Sequence, residues 1–363
     1  MRILTALSGG VDSAVAAARL LREGAEVVAV HYRTGVESTD PAAASRARSC
    51  CGIDDARDAR AVAARLGVPF YVLDVSEAFG RRVIGAFVDA YASGRTPNPC
   101  IACNQDVKFG RLLEVAHGLN AEAVATGHYA RTAPGAHGRV RLLRGTDPKK
   151  DQSYVLYGLD QRQLAAARFP LGDARKGDVR AEARALGLPV ADKPDSQELC
   201  FVPTGDHRAV LAERAPGLLR EGPVVDGAGA TLGRHGGAAA FTVGQRRGLG
   251  VASDAPLHVT EVDVARNRLV VGPREALLRR RIRFGPVHWV DLDPALEAFP
   301  EPVRVEVRVR HAHDPQPGTL SIDPDGTGRV DVDEPVFAPA PGQALVAYRD
   351  EAVLCGGEIL DSA

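Results

Sequence analysis

The chain has 363 residues, 45% hydrophobic and 25% charged, which is enough for two or three domains with cores of their own. Its net charge of -1 excludes a general attraction to nucleic acid, so any such contact needs a local basic patch. No apolar run reaches the roughly 18 residues of a membrane span. Residues 1 to 7 are too short for a secretory leader, and we expect a cytoplasmic protein with no membrane partner.

The first half of the chain alternates short apolar runs with longer amphipathic ones. The apolar runs predict strands at RILTAL (2 to 7), EVVAVHY (26 to 32), FYVLDV (70 to 75) and AEAVATGHY (121 to 129). The amphipathic runs predict helices over 14–23, 54–67, 76–93 and 106–117. This alternation is typical of an α/β fold with a doubly wound parallel sheet, whose ligands lie beyond the carboxyl ends of the strands.

The pattern changes near residue 205. After a last helical run, AVLAERA, the segments PVVDG, GAAAFTV, LHVTEVDV and NRLVVG alternate apolar and polar residues between turns. VRVEVRVRHAHD and GQALVAYRD continue this β-rich pattern. We therefore predict three domains, residues 1–204, 205–276 and 277–363, of which the second and third are rich in strands.

A phosphate-binding loop is predicted at SGGVDS (8 to 13), between the first strand and the first helix. A glycine turn at a helix N-terminus directs several backbone N–H groups at one point and binds phosphate. The lysine of Walker-type loops is absent, and Asp12 instead suits a bound Mg²⁺. The hexapeptide resembles the PP-loop, SGGxDS, whose family cleaves ATP between the α and β phosphates and releases pyrophosphate. ATP and Mg²⁺ are therefore the expected cofactors.

Three cysteines are candidates for chemistry. Cys100 and Cys103 lie on a proline-containing loop just before a predicted helix, where the helix N-terminus lowers a thiol pKa. Cys200 ends the same domain. A structural zinc site with Cys50 and Cys51 is the main alternative, and it is disfavoured because adjacent cysteines make awkward tetrahedral ligands.

Only five of the 45 basic residues are lysines, at positions 108, 149, 150, 176 and 193. They are weak candidates for positions that require a compact ammonium group, and for Lys176 and Lys193 chance is the expected explanation.

Motifs throughout the chain resemble those of tRNA-specific 2-thiouridylases, enzymes that thiolate the wobble uridine of tRNA. The matching segments occur in the same order: SGGVDS, CCGIDDARDA, RTPNPCIACNQDVKF, ATGHYAR, LLRGTDPKKDQSYVLY, DSQELCFV, FTVGQRRGLG and PGQALVAY. KDQSYVLY and GQRRGLG are specific to that family. The resemblance implies an adenine nucleotide alpha hydrolase-like PP-loop domain followed by two small β-rich domains, the last a β-barrel.

The resemblance also implies roles for individual residues. Cys103 is then the catalytic nucleophile and Cys200 carries a persulfide, whose sulfur comes from a donor protein. The implied nucleotide-binding residues are Leu7, Ser8, Gly9, Gly10, Val11, Asp12, Ser13, Tyr32 and Gly127. The implied contacts with tRNA, rather than DNA, are Asn98, Pro99, Cys100, His128, Lys150, Asp151, Gln152, Arg310, His311 and Gln343.

The sequence departs from the family in two places. HYRTG (31 to 35) replaces a Phe-Met-Lys-Asn-Trp run, so Tyr32 stands where Met offers its backbone to adenine. RHAH (310 to 313) replaces Arg-Tyr-Arg-Gln among the tRNA contacts.

Three alternatives stay open at this point. Cys100, Cys103 and Cys200 could ligate three irons of a [4Fe-4S] cluster whose fourth iron carries sulfide. A PP-loop synthetase that amidates a small molecule would use SGGVDS but would need no cysteines. An RNA-binding protein without enzymatic activity could use RRRIR (279 to 283), but would have no need of Asp12.

Overall fold

A computed structural model describes residues 1–36, 52–195, 199–202, 205–293, 302–311 and 313–363. The first half contains seven strands: β1 (Arg2–Ala6), β2 (Glu26–Arg33), β3 (Phe70–Asp74), β4 (Ala123–Ala125), β5 (Ala130–Pro134), β6 (Val140–Arg144) and β7 (Ala167–Arg168). Five of them form one parallel sheet in the order β3-β2-β1-β4-β7. The predicted doubly wound sheet is confirmed, although β7 was not predicted, because two residues give no periodic signal.

Successive residues of the central strands point into two different hydrophobic cores. Leu4 and Val28 pack into one core, while their neighbours Ile3 and Val27 pack into the other. Because both faces are buried, the strands read as continuous apolar runs. The helices that cover the second face are Val11–Arg22, Ile53–Leu66 and Lys176–Ala185.

Two long helices cover the first face, and each contains a π-helical segment. The predicted helix 76–93 is observed as Ser76–Phe79, Gly80–Gly85 and Ala86–Ala92. The helix predicted over 106–117 begins earlier, and its consecutive segments are Pro99–Ala102, Cys103–Arg111 and Leu112–Gly118; we call it the cysteine helix. The loop predicted at TPNPCIACN (96 to 104) is observed only over residues 96–98, because Asn98 caps this helix and a proline fills its first position.

Shorter helices complete the first half and open the second: Ser153–Leu156, Gln161–Ala166 and Arg208–Arg214. No helix in the described part of the chain is long and apolar enough to cross a membrane.

The middle of the chain forms a small four-stranded sheet. Its strands are β8 (Gly222–Val225), β9 (Thr231–His235), β10 (His258–Asp263) and β11 (Arg268–Gly272), in the order β10-β11-β8-β9. The strand predicted at GAAAFTV was wrong: Ala238–Ala240 forms a 3-10 turn. Three alanines lack the branched or aromatic side chains that favour strands.

A closed six-stranded barrel ends the chain, as predicted. The strands of this region are β12 (Leu278–Phe284), β13 (His288–Trp289), β14 (Val303–Arg308), β15 (Gln316–Ile322), β16 (Gly328–Phe337), β17 (Ala344–Arg349) and β18 (Ala352–Ser362). The barrel order is β12-β16-β15-β14-β17-β18, and pairing of β12 with β18 closes it. Closure removes exposed strand edges. The β5–β6 hairpin joins the barrel at a single pair, Leu143 with Ala352.

The basic stretch RRRIR lies on β12, and acidic side chains pair with three of its four arginines. Arg281 pairs with Asp331 at 2.7 Å, and Arg283 pairs with Asp325 and Asp361, each at 3.2 Å. These pairs join β12 to neighbouring barrel elements, and the paired arginines remain 36% to 60% exposed.

Candidate active site

The motif SGGVDS forms a turn and the first residues of a helix. Gly9 has a positive φ of 73°, Gly10 is extended, and the helix starts at Val11. The Ser13 hydroxyl accepts from the Ser8 N–H and donates to the Gly10 carbonyl, both at 3.1 Å. The serines thus hold the turn in the shape in which backbone N–H groups at the helix N-terminus face a cavity.

The two glycines of this turn differ in what they tolerate. A Cβ at Gly9 would collide with the Asp55 backbone, whereas a Cβ at Gly10 would lie 3.4 Å from the Ser8 hydroxyl. We expect Gly9→Ala to destabilise the protein by about 1–3 kcal/mol, because a strained backbone is added to the collision. Gly10→Ala is the matched control and should melt close to the wild type. Equal melting temperatures for the two variants would contradict this account of the turn.

A cavity of about 370 Å³ opens at the carboxyl ends of β1, β2 and β4. Twelve residues predicted from the sequence line it: Leu7, Ser8, Gly10, Val11, Asp12, Ser13, Tyr32, Gly127, His128, Lys150, Gln152 and His311. The last four were predicted as tRNA contacts, so predicted nucleotide and tRNA residues share one cavity.

Gly127 and Tyr32 shape two walls of the cavity. A Cβ at Gly127 would lie 2.6 Å from the Ser13 nitrogen, so only glycine lets β4 approach the loop this closely. The Tyr32 side chain is buried, and its hydroxyl donates to the Lys108 carbonyl at 2.9 Å.

All five lysines of the chain gather at this cavity, which corrects the expectation of chance for Lys176 and Lys193. Lys108, Lys149, Lys150 and Lys193 line it, and the Lys176 ammonium group contacts Asp12. Lys193 donates to the Gly9 carbonyl at 3.0 Å and to Asp55 at 2.8 Å. The only indication of this in the sequence was that lysines are rare among its basic residues.

Asp12 is the centre of a charged network. Both of its carboxylate oxygens accept from the Lys176 ammonium group at 2.7 Å, and the Tyr129 hydroxyl donates to Oδ1 at 2.7 Å. Burial and the Asp12 charge raise the Tyr129 pKa, so its hydroxyl stays protonated. Asp195 contacts Lys176 at 2.9 Å and Lys150 at 2.7 Å. Although burial opposes it, these lysines lower the pKa of Asp195 to about 2.

His128 lies at the back of the cavity, between the sheet and two aromatic rings. Its Nδ1 lies 2.7 Å from the Thr126 hydroxyl, and its ring packs at 6.2 to 6.3 Å from Phe109 and Phe169. These contacts orient the imidazole against the cavity wall.

Asp151 is buried and holds its own loop, so in this conformation its carboxylate does not face a ligand. Oδ1 accepts from the N–H groups of Gly145 and Ser153, and Oδ2 accepts from Arg308 on β14 at 2.8 Å. The two charged side chains are 1% and 9% exposed. The barrel thereby fixes the loop that carries Lys150.

We expect Arg308→Met to cost about 3–5 kcal/mol of stability, because it leaves the Asp151 carboxylate buried without its cation. Arg304→Met is the matched control, since Arg304 lies on the same strand and forms an exposed pair with Asp333. Chemical denaturation of both variants measures the difference, and equal losses would contradict a structural role for the buried pair.

Cys103 and Cys200 lie at the margin of one hydrophobic core. Both are half-buried and pack against the cluster on the first face of the sheet, and Phe201 stacks edge-on against Phe87 at 5.1 Å. Cys100 is exposed, and its N–H donates to the Asn98 side chain at 3.2 Å. None of these cysteines lines the cavity.

The remaining predicted tRNA residues connect the barrel to the rest of the site. The Gln343 amide donates to the Thr96 carbonyl at 2.9 Å, just before the cysteine helix, and Pro99 is buried in its first turn. Arg310 donates to the carbonyls of Phe337 and Ala338. The hydrogen bonds of Gln343 and Arg310 hold these segments of the chain in place. Contact of these residues with tRNA stays a prediction.

The zinc alternative with Cys50 and Cys51 lies outside the described residues. Among the described residues, no group of three or more His, Cys, Asp or Glu side chains is arranged to hold a metal ion.

A parallel sheet with this loop after its first strand defines a PP-loop nucleotide-binding domain of the HUP type. Family profiles agree: a tRNA methyl transferase HUP domain matches residues 1–204, a tRNA methyl transferase PRC-barrel domain matches 209–273, and an aminomethyltransferase beta-barrel domain matches 279–359.

Curated relatives cover nearly the whole chain. The tRNA-specific 2-thiouridylase MnmA of Geobacter metallireducens is 46% identical over 99% of this chain and 96% of its own length. The Magnetococcus marinus protein of the same name is 42% identical over 99% of both chains. This chain belongs to the tRNA-specific 2-thiouridylase family.

Proposed function

We propose that the protein is a tRNA-uridine 2-sulfurtransferase that uses ATP to replace the C2 oxygen of the wobble uridine (U34) with sulfur. The observation that carries this proposal is the single cavity, which is shared by the PP-loop and by His128, Lys150, Gln152 and His311. A nucleotide and a flipped-out base can meet there, and an enzyme that modifies a base must expose it in this way.

Activation of the uridine comes first. The C2 carbonyl is a poor electrophile, so its oxygen attacks the α-phosphate of ATP and pyrophosphate leaves. Backbone N–H groups of the PP-loop and the surrounding lysines stabilise the charge that develops on the phosphates. The adenylated base then has AMP as a leaving group.

Asp12 is the residue that would hold Mg²⁺. Its carboxylate already binds a cationic group in this structure, and magnesium sites in ATP enzymes commonly use one or two carboxylates together with the phosphates. The ion would supply neutralisation of phosphate charge when bound.

Sulfur transfer follows, with Cys200 as persulfide carrier and Cys103 as second thiol. The terminal sulfur of the Cys200 persulfide attacks C2 and AMP departs, which leaves a base–S–S–Cys200 adduct. The Cys103 thiolate attacks the Cys200 sulfur, forms a disulfide with it and releases the thiolated base. A thiol reductant then restores both cysteines. Both cysteines are half-buried thiols that pack against the same large hydrophobic cluster, which is consistent with this pairing.

The [4Fe-4S] route stays an alternative hypothesis, and we derive no step from it. The sulfur that loads Cys200 comes from a donor protein that carries a persulfide. The proposed tRNA contacts are the cavity residues named above together with Asn98, the exposed Cys100 and Gln343.

Release of pyrophosphate from ATP, measured with and without unthiolated tRNA, tests the proposal. We expect release only with tRNA. A small-molecule amidating synthetase would ignore tRNA, and a binding protein would release no pyrophosphate, so either result would overturn the proposed function.

A further inference from the structure

Lys176 has a position that neither the fold nor the helix it starts explains. It is the first residue of the helix Lys176–Ala185, where a cation is unfavourable because the helix dipole is positive at that end. Its backbone N–H donates to Asp147 at 3.0 Å, and its side chain is only 12% exposed. Something other than helix stability therefore accounts for a lysine at this point.

The ammonium group occupies the place of a bound cation. It contacts both oxygens of Asp12 at 2.7 Å and Oδ1 of Asp195 at 2.9 Å. Tyr129 donates to Asp12 Oδ1 as well, so two donors already occupy that oxygen. A dication at Asp12 would lie beside the ammonium group, and like charges at this distance repel strongly in a partly buried site.

We propose that Lys176 is an internal counter-ion that blocks the metal position of the nucleotide-free protein and moves from Asp12 onto the phosphates when Mg²⁺-ATP binds. The inference rests on the proposed function, because it assigns Asp12 to the metal. It adds an order to the reaction: free divalent ions are excluded, and the metal enters together with the nucleotide.

The charges around the cavity are consistent with such an exchange. Asp195 also pairs with Lys150 and Arg180, so it stays neutralised when Lys176 departs. The Lys176 side chain lies 5.8 Å from the Tyr129 ring, next to the cavity that the phosphates would enter. A phosphate-bearing ligand would replace the Asp12 carboxylate as the partner of the ammonium group.

Titration of the apoprotein with Mn²⁺, followed by electron paramagnetic resonance, tests the first half of the proposal. Nearby charges change the cation affinity of a carboxylate by about one to three powers of ten, so K176M should bind Mn²⁺ at least about tenfold more tightly than the wild type. K176R keeps the charge and should bind as weakly as the wild type.

Two controls make the result specific. K149M removes one positive charge from the same cavity, but in the described structure Lys149 pairs with no carboxylate. The Mn²⁺ affinity of K149M should therefore equal that of the wild type. The double variant K176M/D12N should lose the gain. The proposal would be overturned if K176M bound Mn²⁺ no more tightly than the wild type, or if K149M gained as much affinity. It would also be overturned if K176M/D12N kept the increased affinity of K176M.

Binding of Mg²⁺-ATP, measured by calorimetry, tests the second half. In the D12N background, where no carboxylate at position 12 holds the ammonium group, K176M/D12N should bind it about tenfold more weakly than D12N alone, because one charge-assisted contact with phosphate is lost. Undiminished affinity would overturn the movement of Lys176 onto the phosphates. The Mn²⁺ titration uses neither ATP nor tRNA, so its failure is distinguishable from a failure of the wild-type protein to thiolate tRNA.

Discussion

Replacement of Cys103 or Cys200 by serine is expected to lower thiolation of tRNA by about a thousandfold or more, because a hydroxyl neither carries a persulfide nor attacks one. Adenylation precedes sulfur transfer, so tRNA-dependent release of pyrophosphate should continue in both variants. Both cysteines are half-buried at the edge of a core, and exchange of sulfur for oxygen changes little volume there.

Cys100→Ser is the matched control for these variants. Cys100 lies one turn before Cys103 on the same helix but is exposed, and the persulfide route gives it no step. Serine has nearly the size of cysteine, so the proposed contact of this position with tRNA is preserved. This variant should retain thiolation. Loss of activity in Cys100→Ser to the same extent, accompanied by loss of an iron–sulfur absorption band, would replace the persulfide route by a cluster.

The disulfide between Cys103 and Cys200 gives a second readout. One turnover without reductant should join the two cysteines, and mass spectrometry of unreduced peptides detects the bond. Neither serine variant can form it. A wild-type protein that thiolates tRNA under these conditions and keeps both thiols reduced would contradict the proposed resolving step.

Asp12→Asn is expected to lower tRNA-dependent pyrophosphate release by about a hundredfold or more, since a metal that neutralises phosphate charge contributes several kcal/mol. The amide has the shape of the carboxylate but not its charge, so it neither holds Mg²⁺ nor balances Lys176. The fold should persist, because the helix Val11–Arg22 is anchored by its buried apolar face.

Asp58→Asn is the matched control for that change. Asp58 is a partly exposed carboxylate that pairs with Lys193 near the same loop but does not line the cavity. It should keep most of the pyrophosphate release. Equal losses in the two variants, or an unfolded Asp12→Asn protein, would contradict the assignment of Asp12 to the phosphates.

The parallel sheet was predictable because its strands are continuous apolar runs. The helices between them repeat apolar residues at the helical spacing of about 3.6 residues. The start of the cysteine helix was not predictable by the same means, since Asn98 and Pro99 read equally well as a turn and as a helix cap. Local patterns cannot tell those two apart, and the packed core decided between them.

Residues of the site were predictable from the sequence only where they belong to a recognisable motif. SGGVDS predicted the loop and Asp12, and both line the cavity together with Tyr32 and Gly127. Lys176 lies 164 residues from Asp12 along the chain and sits in no recognisable motif, so only the folded structure brings the two together. Asp151 was assigned to tRNA by resemblance, and its burial against Arg308 depends on a strand of the distant barrel.

The most direct test of the account uses two transcripts of one tRNA that differ only at the wobble position, with U34 or C34. The purified protein is incubated with ATP, Mg²⁺, a persulfide donor and a thiol reductant, and 2-thiouridine, AMP and pyrophosphate are quantified. We predict one 2-thiouridine, one AMP and one pyrophosphate per U34 transcript, and none of the three with C34. Pyrophosphate release that is equal for both transcripts, or sulfur found at any other position, would contradict it.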